Sequence, residues 1–243
     1  MKNVIKALVI MTALLVAVPS MAAKKEKKVI DWKDGQMPEL TEIEAIDKYL
    51  LTCDTLIQDL KVLDETLVWY TVEKVQVTEK DGSVSETYHV VDQNGNLRGT
   101  DSALKQTLDV IGNCTLLPLK AANISLLTTA YTAALPQLKL KALSYAKYSK
   151  IGAQLAGRCT TEVVDILKRL RQQGKEIRAL KKMTNKKGEL TNPNIDLKNV
   201  DGVDFSEVES VQKSSDELAA ELAKAQQEDA NVGDIDDSSL DLD

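Results

Sequence analysis

Apolar residues recur at spacings of three and four along three stretches of this chain, a period that is typical of amphipathic helices. The predicted helices cover residues 41–67, 101–135 and 136–184. In the longest of them the apolar stripe consists of Leu143, Ile151, Leu155, Cys159, Val163, Ile166, Leu170, Ile177 and Leu180. A helix with one long stripe must bury it against other helices. The pattern therefore predicts a mainly α protein, a three-helix antiparallel bundle with one long helix.

The start of the first helix has a local signature. Thr41 is followed three residues later by Glu44, the spacing of a capping box in which each side chain bonds the other's backbone N–H. Asn185 and Gly188 offer the corresponding stop for the long helix. The helical domain is accordingly expected to span residues 39–187.

The period changes to two between the first and second helices. Residues 68–99 are rich in Val, Tyr and Thr, and they contain an Asp-Gly turn at 81–82 and an Asn-Gly turn at 94–95. Both dipeptides tolerate positive φ and are strong hairpin signals. We therefore expect a β-hairpin, with a brief third strand near Leu97, inserted into the helical domain at 68–99.

The chain changes character again after the long helix. Residues 188–228 combine turn-forming residues with two further capping boxes, Ser206 with Glu209 and Ser214 with Glu217. They predict a loop followed by a weak amphipathic helix over 206–228. Residues 229–243 are acidic and lack aromatic side chains, so a disordered acidic C-terminal tail is expected there.

The N-terminal residues resemble a secretory signal. Lys2 and Lys6 precede an apolar run from Ala7 to Val18, and small residues follow up to Ala22. Residues 1–22 are thus expected to be a signal peptide, followed by a basic linker at 23–38. The apolar run is shorter than the ~20 residues that a membrane span needs, which disfavours the alternative of a retained anchor. The expected location is periplasmic or secreted.

Composition supports the helical class and argues against common enzyme chemistry. Of the 243 residues 43% are hydrophobic, whereas only 4% are aromatic, which suits a core of Leu, Ile, Val and Ala. The single histidine, His89, is expected at the surface of the hairpin. Cys-x-x-Cys, Gly-x-Ser-x-Gly and phosphate-binding glycine motifs are missing from the sequence. No cofactor or metal is expected, and an enzyme without a recognisable motif stays an alternative.

Charge is unevenly distributed along the chain. After residue 200 there are 14 acidic and 2 basic residues, although the net charge of the whole chain is only −6. The C-terminal part of the long helix carries a cluster of basic residues, namely Lys168, Arg169, Arg171, Lys175, Arg178, Lys181 and Lys182. They form a candidate anion-binding face for the protein's own acidic tail or for a foreign anion, or they are a solvated face favoured by the helix dipole. Nucleic acid is not expected, because no aromatic residue interleaves with these charges.

The segment 115–135 contains one charged residue, Lys120. It is interpreted as a buried helix of the bundle, and alternatively as an element that enters a membrane. The leading functional hypothesis is an exported non-enzymatic interaction protein with a structural, adaptor or chaperone-like role and a protein partner. The alternative is a membrane-active or lipid-binding helical protein that uses 115–135, and contact with a membrane surface fits either hypothesis.

The three cysteines can be placed by counting residues along the predicted helices. Cys53, Cys114 and Cys159 fall within about one helical turn of the same level at ~1.5 Å per residue. Export would place them in an oxidising compartment. We favour a disulfide between Cys114 and Cys159, which lie beside flexible Gly and Thr residues. Three buried thiols and a three-thiolate metal site are the alternatives.

Overall fold

The computed structural model describes residues 37–236 and Leu240, so the predicted signal peptide and nearly all of the basic linker lie outside the described residues. The described part is mainly helical, with one long bent helix and a small sheet. Its helices are α1 Glu44–Thr66, α2 Thr100–Thr115, α3 Leu117–Ala134, α4 Ala142–Met183 and α5 Ser215–Ala230. Its strands are β1 Tyr70–Thr78, β2 Val84–Asp92, β3 Leu97–Arg98 and β4 Ser210–Ser214.

The first helix begins later than its predicted cap. The N-cap of α1 is Ile43, which makes no side-chain capping bond, and Glu42 has a φ of 64°. The Asp47 carboxylate turns back instead and accepts bonds from the N–H groups of Thr41 and Glu42, at 2.7 and 2.8 Å. The Thr41–Glu44 capping box is therefore wrong, because an ionised carboxylate in the first turn satisfies these donors better.

The residues of the second and third predicted helices, 101–135 and 136–184, form three α-helices and a 3₁₀ helix instead of two helices. The chain passes in helical form through Gly112 and Asn113 and breaks at Leu116, so that α2 and α3 are separate helices. A 3₁₀ helix, Leu135–Lys141, then joins α3 to α4, and within it Lys139 has φ 50° and ψ −118°. The long helix thus begins at Ala142 rather than at Pro136, and its predicted stripe residue Leu143 is exposed.

Helix packing is led by contacts of α3 with both α1 and α4 and by those of α2 with α4. Tyrosines fill the layer where α1, α3 and α4 meet, since Tyr49, Tyr131, Tyr145 and Tyr148 are all buried. Tyr49 and Tyr131 stack with ring centroids 4.0 Å apart, and the Tyr131 hydroxyl donates to the carbonyl of Tyr145. These contacts do not by themselves establish the predicted three-helix bundle, which stays an interpretation.

The sheet has the strand order β3-β2-β1-β4. Strands β1 and β2 pair antiparallel from Tyr70↔Asp92 to Thr78↔Val84, where the hairpin is predicted. Strand β4 is parallel to β1 and pairs with its outer edge. Helix α5 then covers one face of the sheet, where a cluster of apolar side chains forms from Val75, Val77, Leu97, Leu218, Leu222 and Ala225.

Strand β4 replaces the start of the helix predicted over 206–228. Lys74 N donates to the carbonyl of Glu209, which begins the pairing with the free edge of β1. Helix α5 starts only at Ser215, capped by Ser214, whose hydroxyl accepts from Glu217 N. The capping box at Ser206 is therefore wrong, while the one at Ser214 marks the real start of the helix.

Candidate functional site

One side of α3 is apolar and uncovered. Its inward residues, Leu117, Ala121, Ile124, Tyr131 and Ala134, are buried. The opposite side carries an exposed row of Leu116, Leu119, Leu126, Ala130 and Ala133, which we name the apolar stripe. Leu119 and Leu126 are 68% and 79% exposed. The exposed side of α3 also carries polar residues, namely Asn123, Ser125, Thr129 and Thr132.

The exposure extends over the most apolar part of the helical region. An 18-residue window within Thr100–Met183 is long and apolar enough to cross a membrane by length and composition, yet only 33% of it is buried. The core helix of a bundle passes the same test of composition but is mostly buried. Within the predicted buried helix at 115–135, one side is buried, whereas Leu116, Leu119 and Leu126 are exposed.

The chain leaves α3 through the 3₁₀ helix and enters α4. We give the name cationic tip to six exposed residues at this junction: Lys139, Leu140, Lys141, Leu143, Lys147 and Lys150. Leu140 is 100% exposed and Leu143 is 73% exposed. All four lysines are exposed as well. Exposed apolar side chains thus occur at intervals from Leu116 to Leu143, with exposed polar residues such as Thr129 and Gln137 between them and lysines at one end.

A cavity of about 580 Å³ lies elsewhere, between the first residues of α2, the end of α4, helix α5 and strand β2. Four of the charged side chains that line it have partners among the described residues. Lys181 pairs with Asp101 at 2.5 Å, and the Asp229 carboxylate accepts from Ser102 N at 2.8 Å. Arg98 pairs with Glu228 at 3.3 Å. These contacts hold α2, α4 and α5 together, so the cavity is better explained as a junction than as a reaction site.

His89 lines the same cavity and is buried, which corrects the expectation of a surface position. Both faces of β2 are covered, since every residue from Thr87 to Val91 is buried. The His89 Nε2 atom lies 2.9 Å from Thr87 Oγ1. Gly188, with φ 78°, presses on the ring so closely that a Cβ atom there would lie 2.7 Å from Nε2. Burial lowers the pKa of His89 to about 4, and the Lys213 ammonium acts in the same direction.

The pKa of His89 makes stability depend on pH. The folded protein keeps the ring neutral down to about pH 4, whereas the unfolded chain binds a proton near its ordinary pKa of 6.5. Stability is therefore lost as the pH falls from 6.5 towards 4, by about 2 kcal/mol at pH 5. The Glu221 carboxylate, which pairs with Lys213, opposes the shift only in part.

Urea unfolding of the wild type and of His89→Gln, measured near neutral pH and near pH 5, tests this expectation. The wild type should lose more stability than the variant over that interval. Carboxylates such as Glu73, whose pKa burial raises, are present in both proteins, so their contribution cancels in the comparison. Parallel losses in the two proteins would show that His89 does not carry the effect.

The predicted anion-binding residues do not form one unpaired surface. Lys168 lies 3.9 Å from Asp165, the Arg169 guanidinium lies 4.0 Å above the Trp69 ring, and Lys182 pairs with Asp201. Lys181 is held by Asp101, and Lys175 and Arg178 also have partners. Arg171 is half-buried, with its Nε atom unbonded among the described residues. A foreign anion on this face stays a prediction.

The structure describes the expected acidic tail, 229–243, only at residues 229–236 and at Leu240. Asp229 belongs to α5 and caps α2, because the free N–H groups of a helix N-terminus attract a carboxylate. Leu240 is fully buried and packs on Gly174 in the basic part of α4, where an added Cβ would lie 3.2 Å from Leu240 Cδ1. Ionic pairing of the rest of the tail with this basic segment stays a prediction.

No family model, curated protein or solved structure matches this chain. The function must therefore be argued from its own surfaces.

The three cysteines are buried thiols in the structure. Burial raises the pKa of Cys53 to about 12 and the pKa values of Cys114 and Cys159 to about 11. Cys159 also raises the pKa of Cys114 by its charge, which places these two within electrostatic reach of each other. No group of three His, Cys, Asp or Glu side chains in the described chain could hold a metal ion, which counts against the three-thiolate alternative.

Counting thiols tests the predicted Cys114–Cys159 disulfide. The protein purified from its own compartment and denatured without reductant should show one free thiol, and three after reduction. In the native state all thiols should react slowly, because a protected thiol with a raised pKa yields little thiolate. Three free thiols without reductant would rule out the bridge.

Proposed function

We propose that this chain is an exported, non-enzymatic interaction protein of the cell envelope, with a structural, adaptor or chaperone-like role. Its binding surface would be the apolar stripe together with Leu140 and Leu143. The observation that carries the proposal is the exposure of this surface, up to 79% in α3 and 100% at Leu140. Contiguous exposed apolar side chains commonly mark sites of protein or membrane interaction.

The remaining features support a binding role more than a catalytic one. At the cavity Lys181 pairs with Asp101 and Arg98 pairs with Glu228, and the ring of His89 is buried and neutral near pH 7. A general base must lie within hydrogen-bond reach of its substrate, and the nearest partner of His89 Nε2 is the protein's own Thr87. The exposed leucines of the apolar surface, by contrast, are left uncovered by the part of the chain that the structure describes.

Site-specific photo-crosslinking in the producing cell tests the proposal. A photoreactive amino acid would replace Leu119 or Leu126, and in a control it would replace Val84, which is 63% exposed at the hairpin turn. Adducts of defined mass should form at the two stripe positions and be missing at Val84. If Leu119 and Leu126 gave no adduct, or the same adducts as Val84, the apolar stripe would not be a binding surface.

A further inference from the structure

The cationic tip is shaped to present apolar side chains outward. The 3₁₀ helix between α3 and α4 contains Lys139 at φ 50° and ψ −118°, a conformation that costs a non-glycine residue strain. Leu140, the residue after Lys139, is 100% exposed, and Leu143, about one turn further along the chain, is 73% exposed. Two leucines at the outer end of a bend, where no core contact holds them, are available to a partner.

The charge along this part of the chain has one sign. From Val110 to Thr161 the sequence contains no Asp or Glu. Lys120 and Arg158 in this segment pair with Asp59 and Asp64 of α1. The lysines of the tip differ, because none of the four forms an ion pair with any residue in 37–236 or with Leu240. The two leucines of the tip are thus accompanied along the chain by four lysines that form no ion pair with a described residue.

This charge selects among the occupants that an apolar surface could have. A second copy of the chain, related by a two-fold axis through the tip, would bring two sets of lysines together, and like charges across an interface are unfavourable. A surface that offers both negative charge and an apolar interior matches lysines and leucines at once. The headgroup region of an anionic bilayer has both.

We infer that the cationic tip docks on anionic phospholipid bilayers, with Leu140 and Leu143 in the boundary between headgroups and acyl chains. Lys139, Lys141, Lys147 and Lys150 contact the phosphates. The inference assigns a partner to one end of the proposed binding surface and so rests on the proposed function. The contact is peripheral rather than spanning, because the other side of α3 is packed into the protein through Ile124 and Tyr131, which are buried.

Vesicle co-sedimentation tests the inference with the protein purified as its host processes it. The probes are vesicles of phosphatidylcholine alone and vesicles of phosphatidylcholine with phosphatidylglycerol. Binding to the anionic vesicles should be at least about tenfold stronger, and it should weaken about tenfold or more between roughly 50 and 500 mM NaCl. Any contribution of the N-terminal segment cancels when variants with the same N-terminus are compared.

Two variants separate the apolar and the ionic parts of the contact. Leu140→Ser with Leu143→Ser should weaken binding to anionic vesicles by roughly tenfold or more, since both side chains are outside the core. Lys141→Gln, Lys147→Gln and Lys150→Gln together should weaken it by roughly 100-fold at low salt. Circular dichroism should be unchanged in both, because every substituted residue is exposed.

Matched controls change the same properties elsewhere. Val84→Ser removes an exposed apolar side chain from the hairpin, and Lys61→Gln, Lys198→Gln and Lys224→Gln remove the same charge from exposed positions outside the tip. Both controls should bind within about twofold of the wild type at low salt. Equal losses in the lysine control and in the tip variant would mean that binding follows the total number of lysines and not their position at the tip, and this would overturn the inference.

The outcomes also separate this inference from the proposed function. If the wild type bound neither vesicle type while Leu119 and Leu126 still gave crosslinked protein adducts, the lipid partner would be wrong and the binding surface would stand. If neither vesicles nor crosslinks were found, both would fail. Binding that is equal on the two vesicle types and insensitive to salt would also overturn the anionic specificity.

Discussion

Replacing Gly152 with alanine should lower the free energy of unfolding by about 2–3 kcal/mol. A Cβ atom on Gly152 would overlap the hydroxyl of Tyr49 and lie 2.8 Å from its Cζ atom and 3.2 Å from Cys53 Sγ. Tyr49 cannot move aside easily, because its side chain is fully buried and its ring stacks on Tyr131. The gain of up to ~1 kcal/mol in helix propensity does not offset this overlap.

The same helix offers a matched control. Gly157 lies five residues further along α4, and a Cβ atom there would meet nothing within 4 Å. Gly157→Ala should therefore stabilise the protein by up to about 1 kcal/mol. Urea unfolding followed by helical circular dichroism measures both variants. Equal stabilisation by Gly152→Ala would show that the Tyr49 layer is looser than the structure describes.

A double-mutant cycle locates the overlap. Tyr49→Phe removes the hydroxyl oxygen and its 3.3 Å bond to the carbonyl of Ser149. In the Tyr49→Phe background, Gly152→Ala should lower the free energy of unfolding by less than in the wild type, because the closest clash is gone while the contact with the ring remains. The expected coupling is about 1 kcal/mol. Strictly additive effects would place the cost of the alanine elsewhere.

Replacing Gln173 with methionine should lower the free energy of unfolding by about 2–3 kcal/mol. Gln173 is only 4% exposed, and it joins three elements. Its Oε1 atom accepts from Tyr70 N at 2.9 Å at the start of β1, and its Nε2 group donates to Thr107 Oγ1 on α2 at 2.8 Å. Methionine keeps the volume but leaves the buried N–H of Tyr70 without an acceptor, which carries the full desolvation penalty.

The neighbouring glutamine supplies the comparison. Gln172 is exposed and bonds only Glu176 one turn away, at 2.9 Å. Gln172→Met should change the free energy of unfolding by about 0.5 kcal/mol or less. Thr107→Val removes the other partner of Gln173. Its loss in the free energy of unfolding should fall between those of Gln172→Met and Gln173→Met. Equal small effects for Gln172→Met and Gln173→Met would contradict the buried bridge.

The features that could be predicted from the sequence are those set by residues near one another in the chain. The period of apolar residues located helices close to α1, α2, α3 and α4, since periodicity reports which side of a helix is apolar. The Asp81-Gly82 turn marked the hairpin, and Gly82 has the positive φ of 84° that such a turn uses. The Ser214 cap and the apolar character of 115–135 were visible for the same reason.

The candidate site could be predicted only in part. The sequence showed that 115–135 is almost uncharged, but it favoured a buried helix and proposed the basic residues of α4 as a binding face. Exposure of Leu126 and Leu140 depends on which elements pack against α3 and the 3₁₀ helix after it, and the period of apolar residues does not report this. The lack of acidic residues from Val110 to Thr161 was a signal that could have indicated the tip.

The sequence by itself determined the helical class, the hairpin and the apolar helix, because propensity, capping and turn chemistry act over a few residues. Only the tertiary structure decided the strand pairing, burial and capping that depend on residues distant in the chain. Strand β4 forms because the edge of β1 is free, and His89 is buried because both faces of β2 are covered. Asp229 caps α2 from 127 residues beyond Ser102. Such contacts arise from the packing of whole elements, which no local pattern encodes.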